Sequence, residues 1–388
     1  MKRTIAVVTT SRADYSHLYW PLKDLAAHPD VDLKLIVLAA HLSPAFGTTV
    51  REIEADGFSI AARVECLLSS DSDVGMAKTL GLAVLGLSDA LAQMRPDLLL
   101  LIADRYEMLA PASVALTLRI PVAHIEGGEV SEGAIDDAVR NALTKMAHVH
   151  FTSTETARAR VISMGEEPWR VHRAGAPSLD HIRRSTLLTR DELQRELGVV
   201  LEERVTVVAY HPVTMLMRTT AEADAVFAAL ETQPGQILFC YPNADAGGYE
   251  LMARVRGFCE RHSNARVFVN LPAITYWSLL REAAVLFGNS SSGIMEAASF
   301  GLPVVNVGMR QQGRERGRNI LDAEATVESI QAKLNAAQAP VFREALRGME
   351  NIYGDGHAAE RIVEVLTSTP LEGLLHKRAQ PIAERPPA

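Results

Sequence analysis

Three carboxylates stand where an α/β chain places its chemistry. Asp104 closes the strongly apolar run LLLLIAD, Glu126 closes PVAHIEGG, and Asp136 follows in GAIDDAVRNALTKMA. If the runs 98–102 and 121–125 are neighbouring parallel strands, about 4.8 Å apart, Asp104 and Glu126 share one mouth. Asp136 and Arg140 are four residues apart and so share a helix face. Three carboxylates around one cleft suit proton abstraction and donation, because burial and mutual repulsion push their pKa values apart. Each has a plainer reading, Asp104 as a loop cap and Asp136 as a surface pair with Arg140. The three together are less readily explained that way.

A second cluster has a different character. GNSSSGIMEAASFG at 288–301 follows the apolar run Val285–Phe287. Gly288 and Gly293 let the backbone turn tightly and approach a ligand. Ser290, Ser291 and Ser292 supply hydroxyls and exposed N–H groups at a helix start, a phosphate cradle without a lysine. Glu296, about one turn further on, is placed to accept hydrogen bonds from the two hydroxyls of a ribose. Arg310, Arg314 and Arg316 follow and would offset diphosphate charge. The alternative is a helix cap with spare serines.

Other polar residues also fall after apolar runs. Arg12 in TSRADYS suits phosphate, with Asp14 capping the next helix and Ser16 in its first turn. His124 precedes Glu126 by two, so on a strand both point to one side. His211 sits before Pro212 after the run Val205–Ala209, suited to a base or a phosphate. A lone histidine is more often structural. HExxH, GxxxxGK[ST] and GxSxG are all missing, so metal, P-loop and elbow-serine chemistries lose their main support.

The elements that must position these residues are strands and helices in alternation. Apolar runs recur at Ile5–Val8, Leu33–Leu38, Leu98–Ile102, Pro121–Ile125 and His148–Phe151, then at Val205–Ala209, Gln236–Cys240, Val267–Val269, Val285–Phe287 and Pro303–Val307. Helix-period stretches lie between them, such as 133–147 with Ile135, Val139, Leu143 and Met146 on one face. Strand alternating with helix implies parallel sheets covered on both faces. Ligands bind beyond the carboxyl ends of such strands, which is where the polar residues collect in both halves. A cleft between two domains is the expectation. Residues 181–204 are charged without a strand signal, with a helix start at Thr189, so the connection falls near 180–204. The last ~20 residues, ending PIAERPPA, read as a frayed tail.

Bulk properties bound the partners. The chain has 388 residues, 48% hydrophobic and 22% charged, with a net charge of −8. That suits two globular domains. With no Lys/Arg block, nucleic acid is not the expected partner. Cys66, Cys240 and Cys259 are odd in number and far apart, arguing against a disulfide framework and for a reducing cytoplasm. The N-terminal apolar run is too short for a signal peptide, and no stretch approaches ~18 uninterrupted apolar residues. No membrane partner is expected.

TSRADYS, ADRYEM, HIEGGEVSEGAIDD, YHPVT, GNSSSGIMEAASFG and PVVNVGMRQQGRERG, in this order, closely resemble the hydrolysing UDP-N-acetylglucosamine 2-epimerases of sialic and related nonulosonic acid synthesis. The resemblance runs from about residue 3 to about 365. It implies an α/β fold of GT-B architecture, two Rossmann-like doubly wound parallel-sheet domains with the site in the interdomain cleft. The implied layout is 1–180, 190–356, a C-terminal helix near 357–370 that packs back on the first domain, and a tail from 371 to 388. It implies elimination of UDP across C1–C2 of the sugar, then hydration of the glycal to N-acetylmannosamine, without metal or redox cofactor. Carried onto this chain, Asp104, Glu126 and Asp136 take the acid and base roles. Ser290, Ser291 and Arg310 match diphosphate contacts and Glu296 the ribose contact. Arg12, Arg105 and His211 match positions near the nucleotide, and the backbone around Leu271 is a uracil contact. Ser16, His124, Asp137, Arg140, Asn289 and Gly293 are supporting residues.

Two departures stand out, Ala103 where glycine is usual and Asn141 where histidine is expected. The family also holds enzymes acting on UDP-N,N′-diacetylbacillosamine, on the way to legionaminic acid. That sugar is the alternative to UDP-N-acetylglucosamine. A GT-B glycosyltransferase and a non-catalytic UDP-sugar-binding protein are the more distant readings. A cytoplasmic homo-oligomer, dimer or tetramer, is the expected state.

Overall fold

The computed structural model describes residues 2–44, 47–68, 72–130, 135–211, 222–241, 248–269, 271–378 and 380. Its strands form two parallel sheets. The first comprises β1 (Arg3–Thr9), β2 (Val31–Leu38), β3 (Ile60–Val64), β4 (Leu98–Ile102), β5 (Val122–Ile125), β6 (Val149–Thr152) and β7 (Val171–Arg173). Its order is β3-β2-β1-β4-β5-β6-β7. The second comprises β8 (Val205–Ala209), β9 (Gln236–Tyr241), β10 (Ala265–Val269), β11 (Val285–Gly288), β12 (Val304–Val307) and β13 (Ile320–Ala323). Its order is β10-β9-β8-β11-β12-β13.

These strands form because their residues are apolar on both faces. β4 is LLLLI and β8 is VTVVA, and every residue of each is buried. Uninterrupted burial is what helices on both sides of a parallel sheet produce. Three strands, β3, β7 and β13, escape the apolar-run criterion. All three are edge strands. β3 (IAARV) is buried fully only at its last residue, and β7 (VHR) only at its first. In each sheet the strand order reverses direction at one place, between β1 and β4 and between β8 and β11. Such a switch point opens a crevice at the carboxyl ends of the two strands.

The chain divides into two compact units, Met1–His181 with Tyr353–Ala388, and Ile182–Ile352. In the first unit the returning C-terminal segment is anchored by a buried carboxylate. Asp180 accepts from the backbone N–H groups of Ala358 (2.9 Å) and Ala359 (2.8 Å). These belong to the first turn of helix Ala358–Ser368, whose Ile362 and Leu366 join the first core. An acidic group there satisfies orphan donors and complements the helix dipole.

Several expectations need correction. The stretch 180–204 carries part of helix Ser178–Arg184 and helix Arg190–Leu197, and the helix start expected at Thr189 is present, with a full capping box to Glu192. Residues 371–378 are not frayed. The fully buried Arg170 donates to the Leu374 carbonyl (2.9 Å) and the His376 carbonyl (2.9 Å), and Lys377 pairs with the buried Glu166 (2.7 Å). PIAERPPA, 381–388, lies outside the described residues. Helix Asp73–Met94 has 22 residues and is long and apolar enough to cross a membrane by length and composition. Here it is a layer helix: Ala83, Leu87 and Leu91 are buried in the first core, while Val74, Leu82 and Leu85 are exposed.

Candidate active site

In the first unit the site grows from the ends of β4 and β5, which pair in register with Ile102 opposite Ile125. Beyond Ile102 the chain turns at Ala103 with φ 58°, a left-handed conformation uncommon for alanine. Two bonds hold that turn. Ala103 donates its N–H to the Ile125 carbonyl (3.0 Å), and its own carbonyl accepts from Nε2 of His124 (2.8 Å). His124 is fully buried, and burial pushes its pKa down to about 4. The ring is therefore neutral near pH 7, with the proton on Nε2 where the carbonyl needs it. His124 thus shapes the loop that carries Asp104.

Asp104 accepts from Nη2 of Arg140, which is buried on helix Ile135–Met146. Arg140 is four residues from Asp136 and was expected to pair with it; the guanidinium instead reaches 36 residues back. A buried cation gains more from a carboxylate held at short range than from one on an exposed helix face. Arg140 also leaves Nε and Nη1 buried without a hydrogen-bond partner among the described residues. Asp136 is part-exposed and makes no hydrogen bond among the described residues, whereas Asp137 accepts from Asn141 Nδ2 (3.1 Å). Ile135, expected on the buried face, is 58% exposed.

Glu126 lies just past β5. Its φ is 65°, so it has left the strand and the two-residue alternation with His124 does not extend to it. Its N–H donates to the Phe151 carbonyl (2.8 Å), fixing the turn against β6. Its Oε1 lies 2.7 Å from Nδ1 of His17, on helix Arg12–Ala27. Gly128 after it has φ 80°, and a Cβ there would stand 2.3 Å from the Ala157 carbonyl oxygen. HIEGG is thus a turn pressed against helix Glu155–Ser163, and only glycine fits at its second G.

The start of helix Arg12–Ala27 also differs from expectation. Ser11, not Asp14, is its N-cap, accepting from the Asp14 N–H (3.4 Å). The buried Asp14 reaches back to the Thr10 N–H (3.1 Å). Ser16 therefore lies beyond the first turn, and its carbonyl accepts from His181 (2.8 Å). Arg12 is exposed at the first helical position. Arg105 donates to the buried Glu107 (2.7 Å). Burial lowers the Arg105 pKa, but Glu107 and Asp14 outweigh that and raise it.

In the second unit the polar loops begin at the ends of β8 and β11, the two strands at its switch point. Gly288 has φ 140°, and a Cβ on it would lie 2.2 Å from the Ala209 carbonyl oxygen. The glycine is required by the crossing of two backbones. A Cβ at Gly293 would come within 3.1 Å of Val304, so this glycine serves helix–strand packing. Fully buried Asn289 clips the loop after β8: its Oδ1 accepts from the His211 N–H (2.7 Å) and its Nδ2 donates to the His211 carbonyl (2.9 Å).

Ser290 is the N-cap of helix Ser291–Met295, accepting from the Ser292 N–H (3.3 Å), and Ser291 is exposed. That helix has five residues, and Glu296, expected about one turn into it, is its C-cap. Glu296 accepts from Trp277 Nε1 (3.2 Å), and Tyr276 bonds Ser292 (3.0 Å). Arg310 Nη1 (3.0 Å) and Gln311 Nε2 (2.9 Å) both donate to the Asn289 carbonyl, drawing Arg310 to the serine loop. Arg316 is committed elsewhere, to Asp322 and to the carbonyls of Gln311 and Arg314. Arg314 lies 3.3 Å from the Met295 sulfur. Leu271 is half-buried, Asn270 lies outside the described residues, and so does Pro212 after His211.

Two parallel sheets, each with polar loops beyond its switch point, define a protein of paired Rossmann-like folds. The comparisons make this more specific. A family model described as UDP-N-acetylglucosamine 2-epimerase matches residues 23–367. The chain belongs to that family. It is 38% identical to the UDP-N,N′-diacetylbacillosamine 2-epimerase (hydrolyzing) of Legionella pneumophila, over 96% of this chain and 97% of that one. It is 33% identical to the UDP-N-acetylglucosamine 2-epimerase of Neisseria meningitidis, over 85% and 86%. The fold matches the crystal structure of the UDP-GlcNAc 2-epimerase from Neisseria meningitidis bound to UDP-GlcNAc, with TM-score 0.74 and 16% identity over 94% of this chain and 99% of that chain.

Proposed function

We propose that this enzyme is a hydrolysing 2-epimerase that releases UDP and a free 2-epimerised sugar from a UDP-2-acetamido sugar. The observation that carries the reading is the pair of adjacent strands β4 and β5, each followed at once by a carboxylate, Asp104 or Glu126, tied to a basic side chain. A proton transfer at carbon needs carboxylates held at fixed orientation, which such pairs provide. In the first step a carboxylate takes the C2 proton as the C1–O bond to UDP breaks, leaving a C1–C2 double bond. In the second, water adds its oxygen to C1 and a proton returns to C2 on the other face. Asp104, Glu126 and Asp136 share these acid and base roles.

The second unit holds UDP in this reading. Ser290, Ser291 and Arg310 bind the diphosphate, Glu296 the ribose hydroxyls, and the backbone at Leu271 the uracil, with Arg12, Arg105 and His211 near the nucleotide. Support comes from Arg310 being drawn to the serine loop through the Asn289 carbonyl. Of the two substrates expected, the higher identity and fuller coverage of the Legionella relative favour UDP-N,N′-diacetylbacillosamine over UDP-N-acetylglucosamine. The test is Asp104→Asn and Glu126→Gln: each should lose turnover while UDP still binds in calorimetry. Normal turnover in either variant rejects that residue's role.

A homo-oligomer also belongs to this reading. Its support is the apolar surface left open on neighbouring helices, Val74, Leu82 and Leu85 on one and Leu116 on the next. Light scattering giving the mass of one chain at working concentration rejects it.

A further inference from the structure

We infer that His17 is a positioning residue for Glu126, a role that rests on reading Glu126 as an acid–base group. Nδ1 of His17 lies 2.7 Å from Oε1 of Glu126, across 109 residues of sequence. The two side chains are 29% and 12% exposed, so the contact is shielded without being sealed off. At that depth a charge-assisted hydrogen bond is stronger than a solvated surface pair.

Both ends of the contact are held by the backbone. Helix Arg12–Ala27 starts at a fixed point, because Ser11 caps it and Asp14 grips the Thr10 N–H. One turn later the chain is braced again, where His181 donates to the Ser16 carbonyl and stacks on Tyr19 at 5.4 Å between ring centroids. His17 lies within this second brace, between Ser16 and Tyr19. Glu126 is fixed by its left-handed φ of 65° and its N–H bond to Phe151. β1, which feeds the helix, neighbours β4 and not β5. The helix therefore carries His17 past one strand to reach the carboxylate of the next.

Such a bond selects one orientation of the Glu126 carboxyl group. A base that must meet a C–H bond gains from losing its rotational freedom before substrate arrives. His17 does this through Glu126 and needs no contact with the sugar.

The test uses three replacements of one side chain. The amide nitrogen of asparagine sits near the place of Nδ1; that of glutamine sits near Nε2. His17→Leu should lower kcat roughly 10–100-fold with KM and UDP affinity unchanged. His17→Asn should restore most of the rate and His17→Gln should not. In a Glu126→Gln background, His17→Leu should cost nothing further. Unfolding temperatures within a few degrees of the parent confirm that the variants fold. Normal kcat in His17→Leu overturns the inference, as does equal loss in the Asn and Leu variants or an undiminished penalty on top of Glu126→Gln. If Glu126→Gln alone keeps full turnover, the underlying reading of Glu126 has failed instead.

Discussion

The loops after β4 and its neighbour β5 and the loop after β11, the strand that corresponds to β4, are built on different electrostatic plans. In the first unit the carboxylates come with basic partners from elsewhere in the chain: Arg140 on Asp104 and His17 on Glu126. In the second the loop is made of glycine, asparagine and serine; its own side chains bond through amides, hydroxyls and backbone, with Asn289 at the centre, and the charged Arg310 joins it at the Asn289 carbonyl. Under the proposed function the difference matches two tasks. Groups that exchange protons change charge during the reaction, so their positions must be held by side chains that tolerate the change. Groups that grip a diphosphate keep their charge state and can be preorganised dipoles.

The largest effect should come from breaking the charged plan. Glu126→Gln or Asp104→Asn is expected to cut turnover by about 10²–10⁴-fold, with UDP affinity within about twofold of the parent. Rapid-quench assays with calorimetry check this; a parallel loss of UDP binding would erase the division of labour.

Next in size is acid sensitivity, which should follow the same division. His41, His124 and His148 have pKa values pushed down to about 4 by burial, and burial lowers His150 and His172 as well. All five lie in the first unit. A histidine depressed in the folded state binds its proton more readily when unfolded. For His41, His124 and His148 the folded state is therefore unpenalised above about pH 6.5 and loses stability as pH falls from there towards 4, by about 1.4 kcal/mol per pH unit each, and His150 and His172 act in the same direction. Hydrogen exchange at pH 7.5 and pH 5 should show protection falling first in β1 to β7. Equal loss in β8 to β13 would contradict it.

The smallest effect should come from the neutral plan, where many weak contacts share the load. Glu296→Ala is expected to weaken UDP about tenfold, or about 1.4 kcal/mol. Titration calorimetry with UDP reads this directly, and unchanged affinity would remove the ribose role.

What the sequence could show of this molecule follows from range. The strands that carry the site were legible because burial on both faces writes them as apolar runs; β4 and β8 match residue for residue. The edge strands β3, β7 and β13 were not, because a strand covered on one side keeps polar residues such as Arg63, His172 and Asp322. That Asp104 and Glu126 follow neighbouring parallel strands was legible from the two apolar runs that precede them. Their partners were not. His17 lies 109 residues from Glu126, and no local spacing rule reaches that far. Arg140 had a candidate partner four residues away, and the local rule chose it over the more distant Asp104. The buried Asp180, which caps the returning helix from 178 residues off, gave no local signal either.

The central claim is that the first unit moves a proton at sugar C2 while UDP leaves. Proton NMR in D₂O, with UDP-N,N′-diacetylbacillosamine and UDP-N-acetylglucosamine in separate tubes, tests it most directly. The account predicts release of UDP and a 2-epimerised free sugar carrying deuterium at C2 from at least one of them. A released sugar that keeps its C2 proton, or UDP binding with neither substrate consumed, would contradict it.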